Sequence, residues 1–537
     1  MPSLFAAKSV PNADKLRGGY YTPEPVARFL SDWVAAAGSN LLEPSCGDGA
    51  ILRCLAERGD PTAVELLPEE ADKARAATGV DVEVGDFFTW FTPDYHEAFD
   101  GVAGNPPYIR FGLWQNEYRE AALDLMRLEG LRPSRLTNAW VPFVVGSLLA
   151  ARDGGRVGLV VPAELLQVGY AAQLRAYLVD SCSEVTVVSF SKLVFPGILQ
   201  EVVLLLATKG PGPAVIRTVE VEDAGHLDEV TLDGAAVRAP LHESEKWTKY
   251  FLQIEEIEAL RSLRASAALS PLSEYARVNV GVVTGRNSFF CLTREQAEEL
   301  SISEYTVPLL SRSAQFTGVR YLSDDYERQA REGAKSHLLS VSKDLELSKH
   351  RALERYVALG EAEGVHLGYK CSIRPKWWSV PSVSIPDGFM LRQVSTVLRL
   401  SANDAGATST DTVHRVFTRE GVDMDKLATA AFNSITLVMS ETMGRSYGGG
   451  LLEVEPRECG HLPVPDPELV TPELTRVVDT LLREGKIDDA LARVDRDLLI
   501  ERAGFSESEV LAASSAARNL RERRLARGRR GNQPDRR

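Results

Sequence analysis

Four short apolar runs in the first 105 residues each stop on a polar side chain, and that recurrence restricts the fold more than any other feature. Leu41-Leu42 stops at Glu43, Thr62-Ala63-Val64 stops at Glu65, Val82-Glu83-Val84 leads to Asp86-Phe87, and Val102-Ala103 leads to Asn105. Helix-like segments lie between such runs and before the first. In residues 26–34 the apolar positions are 26, 29, 30, 33 and 34, one face of a 3.6-residue period. Strands alternating with helices predict a parallel, doubly wound sheet. In such a sheet the carboxyl ends of the strands line one edge, where ligands bind. The four polar strand ends are therefore expected to share one site.

The fourth end is the most constrained. Asn105-Pro106-Pro107-Tyr108 can continue neither strand nor helix, because two prolines fix their φ angles, remove two donors and hold Asn105 extended. What remains is a rigid corner with an amide oxygen, an outward carbonyl from Pro106 and the aromatic face of Tyr108. Two acceptors and a ring suit a planar amine. The first end, Glu43-Pro44-Ser45-Cys46-Gly47-Asp48-Gly49, reads as strand, Gly-rich turn and helix, where backbone approaches a nucleoside ligand closely. Its spacing differs from that of dinucleotide binders. Glu65, roughly 20 residues downstream, stands where ribose hydroxyls are commonly held.

Later segments extend the pattern. Residues 113–130 and 136–151 read as helices, 154–162 as a buried strand and 165–178 as a helix. Strands at 185–190 and 201–207 close the series, giving about seven in all. Residues 210–250 read as a polar, acidic connector. From about residue 250 the pattern changes to a mixed α/β domain, with helix over 249–263, a β-rich stretch at 278–290 and an apolar helix over 427–443. Residues 470–520 read as short helices. No internal repeat is found.

The chain of 537 residues is long enough for two or three domains. Its 44% hydrophobic and 25% charged residues match a soluble globular protein. No apolar run reaches the roughly 20 residues that span a bilayer, and the N-terminus does not read as a signal peptide. The six cysteines are scattered, without a Cys-x-x-Cys pair, which predicts reduced thiols, a cytoplasmic location and no metal site. A net charge of −14 decides little about nucleic acid, because the acid concentrates between residues 57 and 100. An Arg-rich stretch ends the chain and reads as a disordered tail.

Taken in order, these motifs resemble the amino-type DNA methyltransferases of the Taq-type family, which methylate adenine at N6. The resemblance covers the first ~210 residues motif by motif and the remainder loosely. It implies an α/β fold: a Rossmann-like class I methyltransferase domain with a seven-stranded sheet, followed by a mixed α/β target-recognition domain. Residues 1–245 would be the catalytic domain, 246–470 the recognition domain, and 471–537 short helices with a basic tail. Gly19-Tyr20-Tyr21-Thr22-Pro23 looks like the family's first cofactor motif and Leu42 to Gly49 like its Gly-rich loop. The implied S-adenosyl-L-methionine ligands are Tyr21, Thr22, Glu43, Pro44, Ser45, Cys46, Gly47, Gly49, Glu65, Asp86, Phe87 and Asn105. Asn105, Pro106, Pro107 and Tyr108 would form the catalytic corner, with Tyr108 and Phe195 clamping a flipped base.

Val280 to Asn287 resembles the opening of the recognition domain. A cation–aromatic cluster at 370–378 and the Gly-rich stretch near 445 supply candidate DNA contacts: Arg286, Lys370, Arg374, Lys376, Trp377, Arg445 and Tyr447. The expected partner is double-stranded DNA, with a separate restriction endonuclease or defence subunit. The chain is expected to be a monomer or weak dimer. Methylation of RNA amines or of a protein glutamine stays open, because Asn-Pro-Pro-Tyr can hold any planar amine or amide. So does a non-catalytic recognition subunit that has kept the fold. The cofactor motif begins by residue 18 and no Pro-Asp…acid-x-Lys cluster is found, so any nuclease is expected on another polypeptide.

Overall fold

The computed structural model describes residues 22–192, 194, 201–232, 236–238, 246–252, 254–381, 383–447 and 450–531. The chain divides into two compact units. One comprises the described residues of 10–254, 445–450 and 523–537; the other those of 255–444 and 451–522.

The first unit is built on one nine-stranded sheet. Its strands are β1 (Asn40–Glu43), β2 (Asp60–Glu65), β3 (Val82–Val84), β4 (Phe99–Gly104), β5 (Ala151–Pro162), β6 (Cys182–Phe190), β7 (Val202–Lys209), β8 (Val215–Val221) and β9 (Ala236–Arg238), in the order β3-β2-β1-β4-β5-β7-β6-β8-β9. β1 to β5 run parallel, and β7 lies antiparallel between β5 and β6. The seven expected strands are present. β8 and β9 add two more at the edge beside β6, where the sequence predicted only a connector. β8 was hidden because Arg217, Thr218 and Glu220 interrupt its apolar residues, and its burial is far poorer than that of β7.

Helices α1 (Glu24–Ala35), α2 (Ala50–Ala56), α3 (Pro68–Thr78), α4 (Phe87–Trp90), α5 (Asn116–Leu128), α6 (Trp140–Ala150) and α7 (Ala172–Ser181) cover the sheet. The strand period of two splits its side chains between two cores. Val102, Leu159, Val161 and Leu205 face α4, α6 and α7 through Phe87, Trp140, Val144, Leu148 and Leu174. Ala103, Val160, Leu204 and Leu206 face α1 and α2 through Val26, Leu30, Val34, Ile51 and Leu55. Burial on both faces explains the near-continuous apolar runs of β5 and β7. The helix expected at 165–178 begins later, at Ala172, because two 3-10 turns follow β5 first.

The second unit holds several small sheets. Its largest orders Ala276–Asn279, Val413–Thr418, Gly388–Leu391, Leu400–Asn403 and Arg320–Tyr321. A separate core gathers Phe289, Phe290, Leu338, Leu353, Tyr356 and Trp377. Helices Pro472–Arg483 and Ile487–Val494 follow, and the final helix spans Glu507–Gly531. Residues 518–531, expected to be a disordered tail, are thus helical.

Asp495 in this unit accepts hydrogen bonds from the Ser434 backbone N–H at 2.9 Å and hydroxyl at 2.5 Å. Burial, opposed by those bonds, pushes its carboxyl up to about 6. The folded state therefore keeps a proton that the unfolded chain releases near pH 4. Stability of this unit is expected to fall as pH rises from about 4 to 6, by about 3 kcal/mol, and to level off above. In Asp495→Asn that decline should vanish from denaturant titrations across the window; an unchanged profile would refute the assignment.

Candidate active site

The carboxyl ends of β1, β2 and β4 meet in one place. After β1 the chain turns through Glu43-Pro44-Ser45-Cys46-Gly47-Asp48-Gly49 into α2. Gly47 has φ +53° and Gly49 φ +87°, a left-handed region that glycine enters without steric cost. A Cβ on Gly47 would meet nothing within 4 Å, so the loop presents bare backbone there. Glu65, ending β2, ties the loop down: Oε2 accepts the Gly47 N–H at 2.8 Å and Oε1 the Leu67 N–H at 2.9 Å. Each carboxylate oxygen retains a lone pair for a further donor.

Glu43 is 2% exposed, and its Oε2 is buried without a hydrogen-bond partner. Burial, then the neighbouring Glu65 and Asp48 charges, raise its carboxyl well above the usual range. A buried polar atom left unsatisfied is costly, and here it lies in the loop whose backbone is open. Burial likewise raises Glu65, against the pull of its backbone bonds. The Cys46 thiol is pushed up by burial and by Glu43 and Glu65, which makes it a poor nucleophile. Asp86, at the end of β3, caps α4 by accepting the Thr89 N–H at 3.0 Å, and burial raises it too. Phe87 is 2% exposed and stacks on Phe91 and Phe143 at 5.3 and 5.4 Å. It forms a floor; the half-buried Phe88, edge-on to Phe143 at 4.7 Å, is its more accessible neighbour.

At the end of β4, a Cβ on Gly104 would stand 3.3 Å from Pro44 Cδ, so the Gly-rich loop and the Asn105 corner abut. Tyr108 donates its hydroxyl to Asn105 Oδ1 at 3.0 Å or to the Val160 carbonyl at 3.1 Å. Its ring packs partly against both cores. Asn105 Nδ2 donates to the Thr22 hydroxyl at 3.2 Å. Thr22, expected as an N-cap, makes no cap bond; Pro23 occupies that position and the hydroxyl turns to Asn105. Thr22→Val should keep the fold yet lower kcat about 10-fold by removing one of the hydrogen bonds that orient the amide. A kcat within twofold of wild type would remove Thr22 from this role.

Sequence reasoning passed over the turn after β5. Its Gln167, 4% exposed, accepts the Ser446 N–H at 2.5 Å, and Ser446 donates its hydroxyl to Glu201 at 3.2 Å. Tyr170 donates to Glu164 at 2.5 Å, and burial followed by the Glu164 charge raises its phenol. The Arg445 charge also reaches that phenol. Arg175, 2% exposed, braces the turn by donating to the Leu165 carbonyl at 2.8 Å and the Val168 carbonyl at 3.2 Å. The available signal was Pro162, which ends β5 at the same edge as Asn105.

Tyr21, Phe195 and the side chain of Tyr447 lie outside the described residues. Among the candidate DNA contacts, Trp377 is corrected: it is 8% exposed, packs with Phe289 at 5.1 Å and donates its indole N–H to Glu361 at 3.1 Å. A core position leaves no face for a base. Lys376 donates to the Leu345 carbonyl at 3.0 Å, Lys370 is exposed, and Arg286 and Arg374 are half-buried. Among the described residues, no group of three or more His, Cys, Asp or Glu could hold a metal ion, and no helix is long and apolar enough to cross a membrane. All six cysteines are buried and free.

A parallel β3-β2-β1-β4-β5 half closed by an antiparallel β7, with backbone-rich loops at its carboxyl edge, defines the class I methyltransferase fold. Within that class the chain is similar to restriction–modification DNA methyltransferases along most of its length. The family described as Eco57I restriction-modification methylase matches residues 67–195, and that of the Type II methyltransferase M.Eco57I C-terminal domain matches residues 244–499. The chain is 22% identical over 520 residues to the Type II methyltransferase M.AccI of Acinetobacter calcoaceticus, covering 89% of this chain and 92% of the relative. With M.XamI of Xanthomonas campestris pv. amaranthicola identity is 24% over 474 residues, covering 84% and 85%. Among solved structures, the Type IIL restriction-modification enzyme MmeI in complex with DNA shares the fold at TM-score 0.53 and 12% identity, covering 95% of this chain and 72% of that one.

Proposed function

We propose that this chain transfers a methyl group from S-adenosyl-L-methionine to the exocyclic N6 of adenine in double-stranded DNA, as the modification arm of a restriction–modification system. The observation that carries the reading is the Asn105 corner at the end of β4, abutting the Gly-rich loop and buttressed by Thr22 and Tyr108.

The residues of the loop fit the cofactor. Glu65 has lone pairs left for ribose hydroxyls, the open backbone at Gly47 suits the methionine portion, and the orphaned Glu43 oxygen suits a cationic or hydrogen-bonding group. Tyr21, Thr22, Pro44, Ser45, Cys46, Gly49, Asp86 and Phe87 complete the proposed lining. When bound, S-adenosyl-L-methionine supplies an electrophilic methyl on a sulfonium sulfur.

The adenine amine is a poor nucleophile, because its lone pair is delocalised into the ring. Asn105 Oδ1 and the Pro106 carbonyl accept its two hydrogens, which favours a pyramidal nitrogen and localises the lone pair. Pro107 keeps the corner rigid. With Tyr108 giving its own proton to the Val160 carbonyl, Asn105 Oδ1 is left to the substrate. The Tyr108 ring and Phe195 would hold the base flat between them in near-attack geometry. Reaching this corner requires the base to leave the duplex, at a cost of a few kcal/mol.

The test is transfer of labelled methyl groups to genomic double-stranded DNA, with RNA and cell protein in parallel, followed by digestion and identification of the product. N6-methyladenine in DNA is the expected result. Label confined to RNA or to protein would overturn the substrate assignment. Bound cofactor without transfer to any of the three would favour a recognition subunit.

A further inference from the structure

Two stretches of the second unit that lie far apart in sequence come together in one cationic, apolar tip. The Thr284–Arg286 turn crosses directly over residues 370–371. A Cβ on Gly285 would stand 2.9 Å from Lys370 Cβ and 3.2 Å from Cys371 Sγ, and Gly285 has φ +88°. Both the close approach and the left-handed backbone require glycine here. Arg374 locks the pairing by donating to the Val283 carbonyl at 2.8 Å. Cys371 is fully buried beneath.

On this rigid mount the outward side chains are large and apolar. Tyr369 is 75% exposed, Leu367 72%, Ile373 61% and Val283 42%. Scattered single apolar residues on a surface are ordinary, but four held together on a braced tip form a contact patch. The charged residues of the two stretches, Arg286, Lys370 and Arg374, are all cations. Lys370 lies 5.5 Å above the Tyr369 ring and has no carboxylate within ion-pair distance among the described residues, and Arg374 adds a second cation.

We propose that this tip is a DNA wedge: Lys370 and Arg374 face phosphates while Tyr369 and Ile373 press against base edges or between base steps. The inference rests on the DNA reading above and names the element that engages the duplex. Apolar side chains ringed by cations match a polyanion whose interior is aromatic. A second copy of this strongly acidic chain would also meet the cations, but it offers no stacked bases to the apolar side chains.

The experiment uses the full chain and genomic DNA fragments, measuring affinity against salt together with methyl transfer. Tyr369→Ser/Ile373→Ser alters exposed side chains only, and its thermal midpoint should match wild type. Its DNA affinity is expected to fall about 10-fold with the salt slope unchanged, whereas Lys370→Gln should lower that slope by about 1. Cofactor affinity should stay constant in both. If wild type binds and methylates DNA and the double variant does so equally well, the wedge is refuted and the proposed function stands. If wild type neither binds nor modifies DNA, the function itself fails. A double variant that loses only self-association, seen by sedimentation, would overturn the wedge in favour of a contact between copies.

Discussion

Asn105→Ala is expected to lower kcat by about 10³-fold or more while cofactor affinity stays within about threefold. The size follows from removing a preorganised polar group aimed at charge that develops in the transition state. The selectivity follows from placement. The Asn105 side chain donates to Thr22 and accepts from Tyr108, whereas the Gly-rich loop is held by Glu65 through the Gly47 N–H and by the Val64 carbonyl through the Cys46 N–H. Asn105→Asp separates two roles. An aspartate supplies an acceptor at the same place but no amide donor for Thr22, so it should retain more activity than alanine. Single-turnover methylation with saturating cofactor, alongside equilibrium cofactor binding, checks both. Activity of the alanine variant within tenfold of wild type would place the reacting amine elsewhere.

Glu65→Gln should produce the complementary pattern. Both oxygens of Glu65 accept backbone N–H bonds, from Gly47 and Leu67. A glutamine must turn its NH₂ toward one of those donors, leaving a backbone N–H without a partner. Charge-assisted bonds of this kind are worth about 1.5–3 kcal/mol, so KM for the cofactor is expected to rise roughly 10- to 100-fold. At saturating cofactor kcat should move little. Burial raises the Glu65 carboxyl, so cofactor binding in wild type should weaken with acidification earlier than an ordinary glutamate would dictate. The glutamine variant should lack that pH dependence. Isothermal titration across pH 4 to 8 reads both effects, and an unchanged KM would detach Glu65 from the cofactor.

The site was legible in outline because its residues follow a rule of position. Glu43 and Glu65 end strands, Asp86 and Asn105 follow within two residues of theirs, and parallel strands deliver such ends to one edge whatever the intervening sequence. Tertiary partners were less accessible. Nothing in Thr22-Pro23 signals that the threonine hydroxyl serves Asn105, 83 residues away, instead of capping its own helix. Trp377 was misread because a cation–aromatic run says nothing about facing; Glu361 receives its indole and Phe289 covers its ring. β8 was missed for the opposite reason. A strand next to the sheet's edge keeps Glu220 exposed and Arg217 half-buried, so its alternation looks like a linker. Gln167 fell inside a segment read as helix, whereas the backbone turns twice before α7 begins.

The grouping of Arg445–Gly450 with the first unit bears on how such a chain can be rearranged. Between Ile254 and Arg523 the polypeptide passes from one unit to the other four times, at 254/255, 444/445, 450/451 and 522/523. A single crossover near residue 254 would therefore deliver a foreign strap to Gln167 and Glu201, which hold Ser446 by its N–H and hydroxyl. Shuffling by simple fusion of halves is disfavoured. Diversity in the second unit is expected to accumulate by substitution within it, or by exchanges that keep residues 445–450 matched to the first unit. Chimeras made with and without that strap should differ in soluble yield accordingly.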